Sequence, residues 1–258
     1  MDSRRLTTYI GSMTDGSITV VPSVHFSPRH RRRVRETIRA SEPDLVAVEL
    51  GERRYDRLER SQQGLDLSGM SPPAAVSYQL LRAIQRTVVR LSGLDPETSD
   101  METAVETAAE VGVDVALIDD PIDETVTALA SAVGPLTFPR SVARAYTLSP
   151  AEQLERLELI GLPFEEIQDG DDVEPLVEHV RDLFPELAEV LVDRRDRSMA
   201  ERLDSLRREG YDVVAVVGAA HHNGLERELN VLGAGEYGPE TAVPIVTPSM
   251  DVARIPLD

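Results

Sequence analysis

The chain has 258 residues, of which 46 are acidic and 27 are basic, and every basic residue is an arginine, which gives a formal net charge of −19. Because it contains no cysteine, disulfide scaffolds, cysteine-ligated metals and thiol nucleophiles are excluded. The acidic balance argues against nucleic acid as a partner and is typical of a high-salt cytoplasm, where molar salt screens self-repulsion. No apolar run is long enough to span a membrane and the first residues lack an export signal, so we expect a cytoplasmic protein.

The first third of the sequence alternates strand and helix patterns. The β-branched run Ile18–Val24 predicts a first strand, and Ser27-Pro28 predicts the start of a helix with a capping hydroxyl. Asp44–Leu50 predicts a second buried strand, which a helix over 53–60 follows. Because a strand–helix–strand unit joins parallel strands, we expect these two strands to be parallel.

The middle of the sequence is mainly helical. Helices are predicted over 74–91 and Met101–Val111, and a third buried strand follows at Val113–Ile118. Residues 122–209 contain helix patterns and no strand-like run. We therefore predict a large helical insertion or cap between the third and the fourth predicted strands.

Strand patterns return near the end of the chain. Asp212–Val217 predicts the fourth buried strand, and Ala242–Val246 completes the sheet. The whole pattern indicates an α/β fold with a mainly parallel sheet flanked by helices. We predict one such domain over residues 1–258.

Ionisable residues stand where the predicted strands end. His25 follows the first strand, Glu49 closes the second, Asp119 and Asp120 follow the third, and His221 follows the fourth. Ligands of open parallel sheets bind beyond these carboxyl ends. Two imidazoles and one carboxylate with open positions suit a catalytic divalent metal such as zinc, manganese or iron. The alternative is that these polar residues only begin the loops.

Glu49 is the most informative of these residues. It lies in a segment whose other residues are predicted to be buried, and burying a carboxylate without a partner costs several kcal/mol by order of magnitude. Something must therefore pair with it. The candidates are an arginine, Arg53 or Arg54, and a metal ion.

Several segments resemble the TraB (pheromone-shutdown) family, which is related to the Tiki and GumN proteins. The resemblance begins with ITVVPSVHFSPRHRRRVRETIRASEPDLVAVELGERRYDRL and continues, in the same order, with METAVETAAEVGVDVALIDDPIDETVTAL, LVDRRDRSMAERL and VVAVVGAAHHNGL. The hallmark of the family is a pair of Gly-x-x-His motifs with a strand-end glutamate and an arginine between them. The second motif is intact as Gly218–His221, whereas Pro22 replaces the glycine of the first, in which His25 is kept.

The resemblance implies an α/β fold and, for some members of the family, metal-dependent peptide cleavage. It implies a site for manganese, cobalt, zinc or iron on His25, Glu49 and His221. Arg54 matches the arginine after the Val-Glu-Leu motif, and Arg195 with Asp196 matches the family's Arg-Asp-x-x-Met-Ala segment. The remaining roles are carried over as follows: catalysis by Glu49, Arg54 and Arg195; substrate contacts by Arg54, Arg195, Asp196 and Asp119; support of the metal ligands by Gly218. His222 adjoins His221, so it either supports the metal ligands or only caps the helix.

Three functions remain open from the sequence. The leading hypothesis is a metal-dependent hydrolase of peptide or amide bonds. The first alternative is a protein that sequesters a peptide or a small ligand without turnover. The second is haem or iron binding, for which an aromatic content of 4% offers little material for an apolar haem pocket. The expected partner is a peptide or small molecule, and a homo-oligomer is compatible with the sequence.

Overall fold

The computed structural model describes residues 7–10, 15–24, 27–59, 100–132, 137–146, 167–234 and 241–248. The helix predicted over 74–91 and the predicted metal ligand His25 lie outside the described residues. Within those ranges, no helix is both long enough and apolar enough to cross a membrane.

The described strands form one six-stranded sheet in the order β1-β2-β5-β3-β4-β6. The strands β2, β5, β3 and β4 are parallel, and β1 and β6 are antiparallel edge strands. Their bounds are β1 Thr7–Ile10, β2 Ser17–Ser23, β3 Leu45–Val48, β4 Asp114–Leu117, β5 Val213–Gly218 and β6 Ile245–Val246. The prediction of a mainly parallel α/β sheet is confirmed, but β1 was not predicted and β6 is shorter than predicted.

The helices follow the predicted order. Their bounds are α1 Pro28–Ser41, α2 Glu52–Glu59, α3 Asp100–Val111, α4 Ile122–Ala132, α5 Thr137–Tyr146, α6 Glu174–Leu183, α7 Pro185–Ala188, α8 Arg194–Arg208 and α9 Ala219–Ala234. A π-helical segment, Glu189–Asp193, joins α7 to α8. The described residues between β4 and β5 are helical or irregular, as predicted, whereas the extent of a single domain over 1–258 stays a prediction.

The start of α1 differs from its prediction in one detail. The helix begins at Pro28, and the backbone carbonyl of Ser27 accepts the first helical hydrogen bond, from Arg31 at 3.0 Å. The Ser27 hydroxyl, however, makes no capping bond, and its oxygen is buried without a hydrogen-bond partner among the described residues. The prediction of a capping hydroxyl was therefore wrong, because the side chain is buried instead of facing the first turn.

Two layers of helices enclose the sheet. Alternate residues of a strand point to opposite faces, so Val213, Ala215 and Val217 of β5 face one layer and Val214 and Val216 face the other. The first layer is α8 with α9, contributing Met199, Leu203, Leu206, Leu225 and Leu229. The second is mainly α1 with α3, contributing Val34, Ile38, Met101, Ala104, Val105 and Ala108. The helix α8 thus packs on the sheet, although it lies within the predicted insertion.

Pro22 lies inside β2, opposite Val217 of β5. On its other side β2 pairs with β1 only over residues 17–20. A proline cannot donate a backbone hydrogen bond, so it is tolerated where one neighbouring strand has already ended. The strand β2 therefore continues past Pro22 to Ser23, which lies level with Gly218 at the carboxyl end of the sheet.

Candidate functional site

The carboxyl ends of three adjacent strands bring the predicted site residues together. Glu49 follows β3, Asp119 follows β4 after one intervening residue, and His221 lies in the first turn of α9, directly after β5. Because β5 and β4 flank β3 in the sheet, these three side chains meet at one edge. All three residues are buried, and their relative exposures are 3%, 5% and 6%. The edge is the position at which open α/β sheets bind their ligands.

The carboxylate of Glu49 has two identified partners. Its Oε2 accepts a hydrogen bond of 2.7 Å from the backbone N–H of Gly218, and its Oε1 accepts one from Nη2 of Arg195. The prediction that a buried Glu49 needs a partner is thus confirmed. The arginine is not one of the pair on α2, however: Arg54 bonds Asp119, and Arg53 lies 3.9 Å from Asp123.

Arg195 is the hub of the site, and its guanidinium uses all five of its N–H groups. Nε and Nη2 form a fork on Asp119, at 2.8 and 2.9 Å. The second N–H of Nη2 bonds Glu49, and Nη1 donates to Nε2 of His221 at 3.0 Å and to the carbonyl of Leu191 at 3.3 Å. Burial disfavours the charged guanidinium, but Asp119 and Glu49 outweigh this effect and hold the pKa of Arg195 above its ordinary value.

The backbone just before Arg195 is unusual. The segment Glu189–Asp193 is π-helical, and α8 begins immediately after it. Single π-helical turns are rare in proteins, but those that occur are often found at functional sites. The carbonyl of Leu191, within this segment, accepts a hydrogen bond from Arg195, so the π-turn helps to fix the guanidinium.

His221 is oriented by Asp196, its neighbour on α8. Nδ1 of the ring lies 2.6 Å from Oδ1 of Asp196, and Nε2 lies 3.5 Å from Oε1 of Glu49. Since a guanidinium can only donate, its contact with Nε2 requires that the ring be neutral, with its proton on Nδ1 and a lone pair on Nε2. Asp196 is 2% exposed, and burial raises the pKa of its carboxyl, an effect that the hydrogen bond with His221 opposes. Asp196 therefore positions the ring, and the contact with a substrate that the resemblance implies for it stays a prediction.

Asp119 holds both arginines of the site. Its Oδ1 accepts bonds from Arg195 and from the backbone N–H of Asp120, and its Oδ2 accepts bonds from Arg195 and from Nη1 of Arg54 at 2.8 Å. Four bonds use the acceptor capacity of a carboxylate, so Asp119 positions the arginines and has none left for a substrate. The side chain of Arg54 is 28% exposed, the highest value in the site, and is the one placed to meet a ligand from outside.

Comparison with known proteins shows the family to which the chain belongs. The sequence profile of the TraB/PrgY/gumN family matches residues 12–240. The chain belongs to this family. An uncharacterized protein of Methanocaldococcus jannaschii is 30% identical over 223 residues, which cover 84% of this chain and 54% of that protein. The chain therefore spans about half the length of the curated relative that it matches.

The two supporting residues predicted from the sequence, Gly218 at the start of the second Gly-x-x-His motif and His222 directly after it, have different surroundings. Gly218 contacts the site directly through its N–H bond to Glu49. His222 is directed away from it: Nδ1 accepts a hydrogen bond of 3.3 Å from Gly170, and Nε2 lies 3.4 Å from Glu226. His222 thus anchors the turn that contains Gly170 on α9.

Gly224 is a site residue that the sequence analysis missed. A Cβ at this position would lie 2.7 Å from Cγ of Asp196 and closer still to its Oδ2, whereas real Cβ contacts are essentially never under 3.0 Å. This oxygen is buried and has no hydrogen-bond partner in the described part of the chain. A glycine inside a helix costs about 1 kcal/mol relative to alanine, but the sequence offers no signal that separates Gly224 from Gly233 on the same helix, where a Cβ would meet no described atom within 4 Å.

Two of the three predicted metal ligands have a suitable arrangement. Nε2 of His221 and Oε1 of Glu49 are 3.5 Å apart, and two ligands of a tetrahedral zinc ion are about 3.3 Å apart. A carboxylate behind the ring, here Asp196, is the usual support of a metal-bound histidine. The third predicted ligand, His25, lies outside the described residues, within which no group of three or more potential ligands is arranged to hold a metal.

Proposed function

We propose that this protein is a metal-dependent hydrolase that cleaves peptide or amide bonds. The observation that carries the proposal is the pair formed by Nε2 of His221 and Oε1 of Glu49, 3.5 Å apart at the carboxyl edge of the sheet, with Asp196 behind the ring. Membership of the TraB/PrgY/gumN family supports the choice of reaction through the resemblance described above.

The residues of this chain that would hold the metal are Glu49 and His221, with His25 as the third ligand. Manganese, cobalt, zinc and iron are the candidates, and a bound ion of this kind lowers the pKa of a water molecule and polarises a carbonyl group. Asp196 retains the proton on Nδ1 of His221 and thereby keeps a lone pair on Nε2. Gly218 fixes Glu49 by donating its backbone N–H to Oε2.

The arginines supply the positive charge that acyl transfer requires. A guanidinium beside the reacting carbonyl stabilises the negative charge that develops on its oxygen, and it acts most strongly where water is excluded. Arg195 is 13% exposed and is held by a bidentate contact with Asp119, so it is preorganised for this role. Arg54 shares the same carboxylate and is more exposed, so it would bind the more distant part of the substrate.

Replacing Glu49 by glutamine tests the proposal. The variant removes the negative charge and keeps the shape of the side chain, so we expect peptide hydrolysis in the presence of Mn²⁺, Co²⁺ or Zn²⁺ to fall about a hundredfold or more, with peptide binding partly retained. A defined mixture of peptides analysed by mass spectrometry is the assay. The matched control is Glu52→Gln, the same substitution at an exposed position in the first turn of α2. Unchanged metal content and unchanged hydrolysis in Glu49→Gln would refute the assignment.

The alternative of a sequestering protein has one observation in its favour. The guanidinium of Arg195 already contacts Oε1 of Glu49 and Nε2 of His221, the two atoms that a catalytic metal would need. A protein of this kind would bind peptides in the same assay and leave them uncleaved with every metal. Binding of haem or iron stays a prediction, and an absorbance scan of the purified protein tests it.

A further inference from the structure

We propose that Arg195 is an internal cation that occupies the metal site in the metal-free protein and thereby weakens metal binding. This inference rests on the proposed function in so far as it assumes a metal on Glu49 and His221. It concerns the competition between a guanidinium and an ion for the same two atoms.

The hydrogen bonds of Arg195 divide into two groups. Three N–H groups bond Asp119 and the Leu191 carbonyl, which lie outside the pair of metal ligands. The other two, one on Nη1 and one on Nη2, contact Nε2 of His221 and Oε1 of Glu49. A metal bound to these two atoms needs the lone pairs that the guanidinium now uses. Arg195 must therefore release two contacts when the ion binds, while the three others can hold it nearby.

The charges at the site point in the same direction. The carboxylates of Glu49 and Asp119 are 4% and 3% exposed, and the guanidinium group of Arg195 contacts both of them. A divalent ion added to this cluster meets a positive charge already seated between its ligands. Repulsion between like charges is strong where water is scarce, so the resident guanidinium opposes the incoming ion.

Release also prepares Arg195 for its role in the reaction. The two N–H groups that leave Glu49 and His221 lie beside the metal ligands and are then available to an oxygen atom of the substrate. The fork on Asp119 keeps the guanidinium within the site. Arg195 thus contacts the two metal-binding atoms in the metal-free protein and, once released from them, can bind the substrate.

Cobalt titration of two methionine variants tests this inference. Arg195→Met removes the competing guanidinium, and Arg54→Met is the matched control, because it removes an equal charge that contacts Asp119 but neither Glu49 nor His221 in the described structure. Co²⁺ affinity is measured by absorbance and calorimetry at high salt. Compared with the unsubstituted protein, we expect Arg195→Met to bind Co²⁺ at least about tenfold more tightly, and the affinity of Arg54→Met to increase by less than about threefold. Equal or weaker binding in Arg195→Met, or equal tightening in both variants, would overturn the inference.

The readout separates this inference from the proposed function, since cobalt binding is measured without turnover. If Arg195→Met binds Co²⁺ more tightly than both Arg54→Met and the unsubstituted protein, and no peptide is cleaved, the hydrolase is refuted and the role of Arg195 is supported. Absence of binding in the unsubstituted chain together with binding in Arg195→Met would support the role of Arg195 and refute the hydrolase. Absence of binding in all three proteins would overturn both.

A second measurement covers the case in which Arg195→Met fails to fold. In the unsubstituted protein labelled with ¹⁵N-arginine, the guanidinium protons of Arg195 should exchange slowly without metal, because all five are hydrogen-bonded. We expect Zn²⁺ to speed the exchange of the two Nη protons that contact Glu49 and His221, and to leave the Nε proton and the second proton of Nη2, both on Asp119, protected. Slow exchange of every proton with zinc bound to His221 would contradict the inference.

Discussion

Adding one methyl group at Gly224 should disable the pair formed by Asp196 and His221. The new Cβ would lie 2.7 Å from Cγ of Asp196 and closer to its Oδ2, so the carboxylate must move. It is held by a hydrogen bond of 2.6 Å to Nδ1 of His221, which the movement would break. Gly233, on the same helix, is the matched control, because a Cβ there meets no described atom within 4 Å.

The expected magnitudes follow from three contributions. Alanine is favoured over glycine in a helix by about 1 kcal/mol, so Gly233→Ala should be more stable by up to about that amount. In Gly224→Ala the same gain is opposed by overpacking of about 1–3 kcal/mol and by loss of a charged hydrogen bond of about 1.5–3 kcal/mol, for a net loss of about 1.5–5 kcal/mol.

Denaturant unfolding at high salt measures this difference, and ¹⁵N NMR of the histidine rings reports whether the Nδ1 proton of His221 is still hydrogen-bonded. We expect Gly224→Ala to be destabilised, to lose the bonded Nδ1 proton and to bind Co²⁺ more weakly. If Gly224→Ala gains as much stability as Gly233→Ala and keeps the His221 signal, the close contact with Asp196 is refuted.

Two further predictions concern single buried ionisable residues. Burial lowers the pKa of His30 from 6.5, so the stability that this residue contributes above pH 6.5 should be lost as the pH falls below it, by at most about 1.4 kcal/mol between about pH 7.5 and about pH 5.5. Unfolding at the two pH values should show this loss and show less of it in His30→Gln; equal losses would contradict the assignment. Asp119→Ala should destabilise the protein by about 3 kcal/mol or more, since it leaves Arg195 short of its main counter-charge. In the same unfolding assay Asp123→Ala, at a half-exposed position, should change stability by no more than about 1 kcal/mol, and similar effects of the two substitutions would argue against a central role for Asp119.

The parallel strands of the fold were predictable from sequence because buried strands consist mainly of apolar residues. The cores of β2, β3, β4 and β5 are mainly apolar, and an ionisable residue comes within three positions of the end of each strand. Edge strands carry less information. The strand β1, Thr7–Ile10, is short and has two threonines, so its pairing depends on β2 and not on a pattern of its own.

The members of the candidate site were predictable, but their contacts were not. A carboxylate in an apolar strand requires a partner, which is why Glu49 stood out. Sequence spacing favoured an arginine near in the chain, such as Arg54, whereas the partner is Arg195, which is 146 positions away. The choice depends on how α8 packs across the edge of the sheet, and on the π-turn before it. Neither feature has a periodicity that can be read from the sequence.

We propose that His221 and Glu49 hold a metal ion. Elemental analysis of the protein after equilibration with Mn²⁺, Co²⁺ or Zn²⁺ at high salt and removal of the excess measures the bound metal. The comparison is with His221→Ala and with His179→Ala, a histidine on α6 outside the site. The account predicts a near-stoichiometric metal content in the unsubstituted chain and in His179→Ala, and its loss in His221→Ala. Absence of metal from the unsubstituted chain with all three ions, or an undiminished content in His221→Ala, would contradict it.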